Sequence, residues 1–333
     1  MKSKNIIILS LIVLIMLFII FNASLINIFI NKEKSEQQAQ SSKLNEIYAP
    51  QIAPEDFESK ISNKYLTLAP GKRFIYEGKT EEGIERTEVY VTNEKKKVLG
   101  VNTIVVRDKV WLNDELIEDT KDRYAQDKYG NVWYFGEDSK EIVDGKVAST
   151  KGSWQAGVNG ALPGIVMKAN PKAGDIYRQE YYKGEAEDMA EVVSLGVKIK
   201  VKYGSFSDCL QTKDWNPLET GGDEYKYYCP EVGSLVYEVK IKDGEGAQLI
   251  NVEEDSDLKQ MEIKEEPFEQ LKTKITEQEA IAIAQKNVKG RVTDVGIEKK
   301  FGKTAYVVEI DADGIETDVI IDIDTGKVLG IET

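Results

Sequence analysis

The chain has 333 residues, 41% hydrophobic and 31% charged, with 58 acidic against 44 basic residues and a net charge of −14. The length allows two or three folded units, and the acidity argues against a nucleic-acid partner, because a phosphate backbone repels it. With no histidine and only two cysteines, the chain lacks the means for Ser-His-Asp or Cys-His catalysis, histidine-ligated metals, zinc ribbons and cysteine-ligated iron–sulfur clusters, and no cofactor is expected.

Residues 6–30 carry no charge. As a helix this run would rise roughly 37 Å at ~1.5 Å per residue, enough for a hydrocarbon core of about 30 Å. Lys2 and Lys4 precede it and favour a cytoplasmic N-terminus with the rest exported, while Lys32 and Lys34 behind it act against that bias. Residues 1–30 therefore read as an uncleaved single-pass transmembrane helix in the cell membrane. The alternative is a cleaved signal peptide with small residues at Asn22-Ala23-Ser24, although the apolar run exceeds the usual ~7–15 residues. Both readings make the bulk of the chain extracytoplasmic. Residues 31–62 are polar, carry Pro50 and Pro54, and read as a stalk or linker, with a helical turn starting at Pro54.

From residue 63 to 254 the texture is that of strands. Runs at 88–92, 103–107, 132–135, 197–203 and 235–241 are strand-like, several of them alternating apolar with polar residues, and turn residues recur at Asn113-Asp114, Tyr129-Gly130-Asn131, Asp144-Gly145, Gly221-Gly222 and Asp243-Gly244. This predicts a large antiparallel β-meander, curved or half-barrel in shape. Trp111, Trp133, Trp154 and Trp215 all fall in it and are expected in the core, with an aromatic-lined ligand surface as the alternative. Gly152–Asp175, rich in glycine and proline, reads as a long irregular loop that either carries function or plugs one end of the sheet. Cys209 and Cys229 are equidistant from residue 219, the centre of a turn between two strand-like runs. Residues equidistant from a hairpin turn face one another, so an exported chain is expected to bridge them as a disulfide.

Residues 255–274, together with Glu253 and Glu254, hold a run of acids and read as a solvated linker. Thr276 and Glu279 then have the spacing of a capping box. Ala280, Ile281, Ala284 and Val288 give the following helix one apolar face, and Gly290 ends it. Strands are expected at 292–300, 304–310, 317–323 and 327–331, with turns at Phe301-Gly302-Lys303, Ala312-Asp313-Gly314 and Asp324-Thr325-Gly326. The helix 275–284, the run Tyr306–Ile310 and the segment Val319–Val328 with Asp322 and Asp324-Thr325-Gly326 together resemble a PepSY domain over residues 275–333. That resemblance implies a helix on a small antiparallel sheet, a non-catalytic cell-envelope module, and a link to peptidases. The central segments 130–137, 152–157 and 184–188 resemble uncharacterised exported β-rich proteins of prokaryotes, which implies class and no mechanism.

Several motifs resemble chemical sites. Gly302-Lys303-Thr304 lacks the upstream glycine of a phosphate-binding loop and reads as a turn. Asp311, Asp313, Asp322 and Asp324 echo calcium loops without the full ligand spacing. Ser256 and Lys259 form the one Ser-x-x-Lys, in the acidic linker, where the lysine cannot be desolvated. Glu137 and Asp138 follow Trp133, Tyr134 and Phe135, and Glu180, Glu185, Glu187 and Asp188 surround Tyr181 and Tyr182. Paired carboxylates beside aromatics are the apparatus of glycoside hydrolysis, and their separation sets its mechanism. The reading that follows is a mainly β, membrane-anchored extracytoplasmic protein that binds or regulates an envelope protein partner, a peptidase or an assembly, and is not an enzyme. The alternatives are a carrier or sensor of an apolar small ligand in the curved sheet and, third, a carboxylate glycosidase. A filled interior favours the first, an apolar cavity the second, and a groove with two facing acids the third.

Overall fold

The structure, a computed structural model, describes residues 48–58, 60–218, 221–254, 268–312 and 314–333. The expected membrane helix, most of the expected stalk, Ser256, Lys259 and Asp313 lie outside the described residues. Among the described residues no helix is long and apolar enough to cross a membrane.

A 3₁₀ turn at Pro54–Asp56 leads into β1 (Phe57–Glu58). Then come β2 (Lys72–Lys79), β3 (Ile84–Val98), β4 (Val101–Leu112), β5 (Glu115–Asp127) and β6 (Val132–Asp138). Each of β3 to β6 pairs antiparallel with the strand before it, and β1 pairs with the end of β5. β7 (Glu141–Val143) and β8 (Lys146–Ser149) make a side hairpin against β5, and β9 (Trp154–Gln155) pairs with β6. β10 (Leu162–Met167), β11 (Ile176–Arg178) and β12 (Glu180–Tyr181) follow. β10 lies between β6 and β12, and β11 hands the ladder to β13 (Met189–Lys200). The meander continues through β14 (Ser205–Trp215), β15 (Glu224–Cys229), β16 (Ser234–Lys240) and β17 (Ala247–Glu254). β17 pairs back onto β2, so the large sheet is nearly barrel-shaped.

The stretch Gly152–Asp175 is not simply an irregular loop, as the sequence suggested, because β10 runs through it and joins β6 to β12. Pro163 and Gly164 disguise the strand. Gly164 is required there: a Cβ at that position would lie 2.3 Å from the carbonyl of Gln179. Several hairpins turn on pairs of residues with positive φ, among them Asn113-Asp114 (50° and 68°), Asp144-Gly145 (53° and 71°) and Phe301-Gly302 (54° and 70°). This is the geometry whose twist matches that of the strands it joins.

Alternation sends one face of each strand into the barrel. Phe74, Tyr76, Val91, Ile104, Val106, Val192, Leu210 and Leu249 pack there into one buried cluster. A segment that the sequence reading splits between stalk and sheet fills the same end. Ile61, Tyr65 and Leu68 are buried in that cluster. Asn63 Nδ2 donates to the carbonyls of Gly130 and Lys168, the Ser62 amide donates to Gln126 Oε1, and the Thr67 amide donates to the carbonyl of Gly233. These partners belong to separate strand ends, so residues 60–68 tie one rim of the barrel together.

In the C-terminal part, α1 (Glu277–Asn287) lies on a four-stranded antiparallel sheet of β18 (Arg291–Lys300), β19 (Lys303–Ala312), β20 (Ile315–Asp322) and β21 (Val328–Glu332). The capping box forms: Thr276 Oγ1 accepts from the Glu279 amide, and the Glu279 carboxylate accepts from the Thr276 amide. Ala280 and Ala284 are small enough to bring the helix close to Tyr306, Val308, Ile310, Val319 and Ile321. The end of the expected linker is tied down, because Val147 in β8 pairs with Gln270 and exchanges backbone hydrogen bonds with Glu269 and Leu271.

Candidate functional site

The two ends of the barrel differ in chemistry. Residues opposite one another on neighbouring strands share a face. Val91, Val106 and Asp122 are matched across β3, β4 and β5, as are Val89, Asp108 and Thr120. Asp122 is in turn opposite Glu137 on β6. On the other side of the barrel Thr212, Lys226 and Glu238 are matched across β14, β15 and β16, and Asp214 lies opposite Glu224. The inner face that is apolar at one end therefore becomes acidic at the other. Asp108, Glu118, Asp122, Glu137, Glu180, Asp214, Glu224 and Glu238 line it, with Lys226 among them. A cleft of about 60 Å³ opens at this end between Glu85, Glu224, Glu238, Lys240 and Glu245.

Asp122, Glu180 and Asp214 are buried, and the other carboxylates of the lining are half-buried. Burial raises a carboxyl pKa and so do neighbouring negative charges. Burial, then Asp122 and Glu180, push the Glu137 carboxyl up to about 9. Burial and Asp188 push Glu180 up to about 8, against the hydrogen bond it accepts from Trp154 Nε1 at 2.7 Å. Asp122 is pushed up to about 7 by burial, although it accepts from Tyr134 Oη at 2.5 Å. Burial takes Asp108 well above the ordinary carboxylate range and raises Asp214 less, because Lys226 counters it. Burial would lower the Lys226 ammonium, but Glu224 at 2.7 Å and Asp214 at 3.7 Å more than offset that.

Of the residues the sequence singled out, Glu137 and Glu180 come within electrostatic reach of one another beside Tyr134 and Trp154, whose rings meet edge to face at 5.4 Å. Asp138, next in sequence to Glu137, points the other way and pairs with the buried guanidinium of Arg123. Glu187 faces Arg178 at 3.6 Å, and Glu185 is exposed. Trp154 is buried. Trp111 and Trp215 are half-buried under Arg86 and Lys213, and the half-buried Trp133 donates from Nε1 to Asp127. Asp108, Glu118, Asp122, Asp214, Glu224, Lys226 and Glu238 were missed. Their signal was a charge that ends an alternating inward face, as Asp108 does after Ile104 and Val106.

Cys209 and Cys229 form the expected disulfide, with Cα atoms 4.2 Å apart. The register of β14 and β15 pairs Leu210 with Tyr228, which places the two cysteines opposite each other. Two of the calcium-like aspartates, Asp311 and Asp322, serve the backbone. Asp322 accepts from the amides of Asp324 and Thr325 and from Lys303 Nζ at 2.6 Å, which holds its carboxyl well below the usual range. Asp311 accepts from the Gly314 amide. A trio that could hold a metal lies elsewhere, on the sheet face away from α1: carboxylate oxygens of Glu309, Glu316 and Asp318 lie within 4.8 Å of one another. Burial and the neighbouring Asp294 push Glu309 up to about 7.

The C-terminal sheet is fixed at the acidic end of the barrel. Lys299 reaches Asp144 at 2.6 Å and Glu115 at 3.6 Å, Lys300 reaches Glu82 at 2.7 Å, Thr304 Oγ1 donates to Asp144, and Lys151 pairs with Asp294. A PepSY domain, the family described as peptidase propeptide and YPEB domain, is found at residues 274–332. No curated protein and no solved structure matches the chain.

Proposed function

We propose that the protein is a non-catalytic, membrane-anchored, extracytoplasmic binding and regulatory protein whose PepSY domain engages an envelope partner of the peptidase class. The PepSY domain itself carries this reading, since it suggests a regulatory or propeptide-like role. The ion pairs at the barrel rim support it, because they hold the domain in place against the barrel. The apolar interior supports it too: the buried cluster around Phe74 and Leu249 fills the space an apolar ligand would need. Glycoside hydrolysis requires one acid neutral and its partner ionised. Glu137 and Glu180 are both pushed towards the neutral form, which favours binding over turnover.

Crosslinking in intact cells, with and without residues 275–333, tests the proposal. Loss of one specific partner on deletion, with the barrel still folded by circular dichroism, is the expected result. Equal capture by both forms would place the binding surface on the barrel, and a glycosidase rate lost in Glu137→Gln or Glu180→Gln would overturn the non-enzyme reading. Protease added outside the cells should digest everything beyond residue 31, and full protection would refute the export topology.

A further inference from the structure

The acidic end of the barrel is more than a set of solvated surface charges. None of Asp108, Asp122, Glu137 and Glu180 has an ion-pair partner among the described residues, and the strongest charges acting on Glu137 are all negative. Polar atoms beside this lining are left without partners. Tyr177 is 9% exposed, yet Tyr177 Oη has no hydrogen-bond partner, and neither has Asp108 Oδ1. Thr212 and Asp214 lie on the inner face of β14. Tyr177 and Asp214 flank Ala190 in the ladder, and the phenol feels the Asp214 charge. Buried polar groups are nearly always satisfied in folded proteins, so these oxygens mark places for a guest or for water.

We infer that the open acidic end of the barrel binds an organic cation bearing primary ammonium groups, the chemistry shared by a polyamine and by a lysine-rich peptide segment. Lys226 is an internal precedent. Its ammonium lies among Glu224, Asp214 and Glu238 on one side of the lining, while Asp122, Glu137 and Glu180 on the other side have no such partner. The spacing favours an extended amine over a single metal ion. The only described place where three carboxylate oxygens converge within 4.8 Å is the PepSY sheet, not the barrel. Carboxylates spread round an opening suit several N–H donors carried on a chain. Asp122 accepts a hydrogen bond on one oxygen from Tyr134, which holds the carboxylate in place and leaves the other oxygen for an ammonium. The inference does not depend on the peptidase-type partner proposed above.

Calorimetric titration of the purified full chain at pH 7 and low salt tests it, with spermidine, a tri-lysine peptide and calcium chloride as separate probes. Saturable binding of one or both amines is expected, and the stronger of the two identifies the source. Because protonated carboxyls must ionise to pair with the guest, binding should release protons, so the measured heat should change with the ionisation enthalpy of the buffer. Glu137→Gln combined with Asp122→Asn should weaken amine binding at least tenfold, while Glu253→Gln with Glu254→Gln, outside the barrel mouth, should leave it unchanged. No saturable heat from either amine, equal weakening by the two variant pairs, or stoichiometric binding of calcium alone in place of the amines would each overturn the inference.

Discussion

Glu137 and Asp138 are neighbours in sequence with the same charge, and their removal should move stability in opposite directions. Glu137 faces inward, where burial and like charges raise its carboxyl from 4.5 to about 9. At pH 7 the folded chain therefore keeps a proton that the unfolded chain releases. Neutral pH lies about 2.5 units above the unfolded pKa, and at ~1.4 kcal/mol per unit this proton uptake costs about 3 kcal/mol. A group whose folded pKa is raised is harmless below its unfolded pKa and increasingly destabilising above it, so Glu137→Gln should be neutral near pH 4 and stabilising by up to about 3 kcal/mol at pH 7. Asp138 is half exposed but is the partner of Arg123, which is 1% exposed. Asp138→Asn leaves a buried guanidinium short of its counter-charge and should cost about 1–3 kcal/mol at pH 7. Urea denaturation of both variants and the parent at pH 4, 5.5, 7 and 8 measures this. A Glu137→Gln effect that does not grow with pH, or a destabilisation as large as that of Asp138→Asn, would refute the assignment of Glu137 to the enclosed acidic lining.

The same linkage applies to the parent chain. Because Asp122, Glu180 and Glu238 are also raised, to about 7, about 8 and about 7, its melting temperature should fall as pH rises from 5 to 8, and a flat profile would argue against a shared acidic lining. Replacing Cys209 and Cys229 together by serine should destabilise by about 3 kcal/mol on the chain-entropy model for a bridge spanning 20 residues, read as a lower urea midpoint than that of the oxidised parent. Gly164→Ala should cost about 1–3 kcal/mol, because the new methyl group meets the Gln179 backbone and neither strand can yield without breaking the ladder; an unchanged melting temperature would show that β10 is not held between β6 and β12. Thr276→Ala removes the helix cap and should cost about 1 kcal/mol, visible as faster amide exchange in the first turn of α1.

Local rules were enough wherever the determining partners are close in sequence. The capping box at Thr276 and Glu279, the hairpins at Asn113-Asp114 and Phe301-Gly302, the antiparallel meander and the PepSY element order were all legible, because each is set within a few residues by turn chemistry and by side-chain period. The disulfide was legible for the same reason: a hairpin converts equal distance from a turn into opposition, and 209 and 229 obey that arithmetic. Closure of the sheet was not legible. Pairing of β17 with β2, the insertion of β10 at Pro163 and Gly164, and the anchoring of residues 60–68 to Gly130, Lys168 and Gly233 join segments far apart in the chain, where no local pattern names the partner. The acidic lining shows the same limit. Sequence alone could flag Glu137, Asp138 and Glu180 as acids beside aromatics. Only the closed barrel decides that Glu137 faces inward among Asp122 and Glu180 while Asp138 faces out to Arg123. Strand alternation gives two faces, and the tertiary structure alone determines which of them is enclosed.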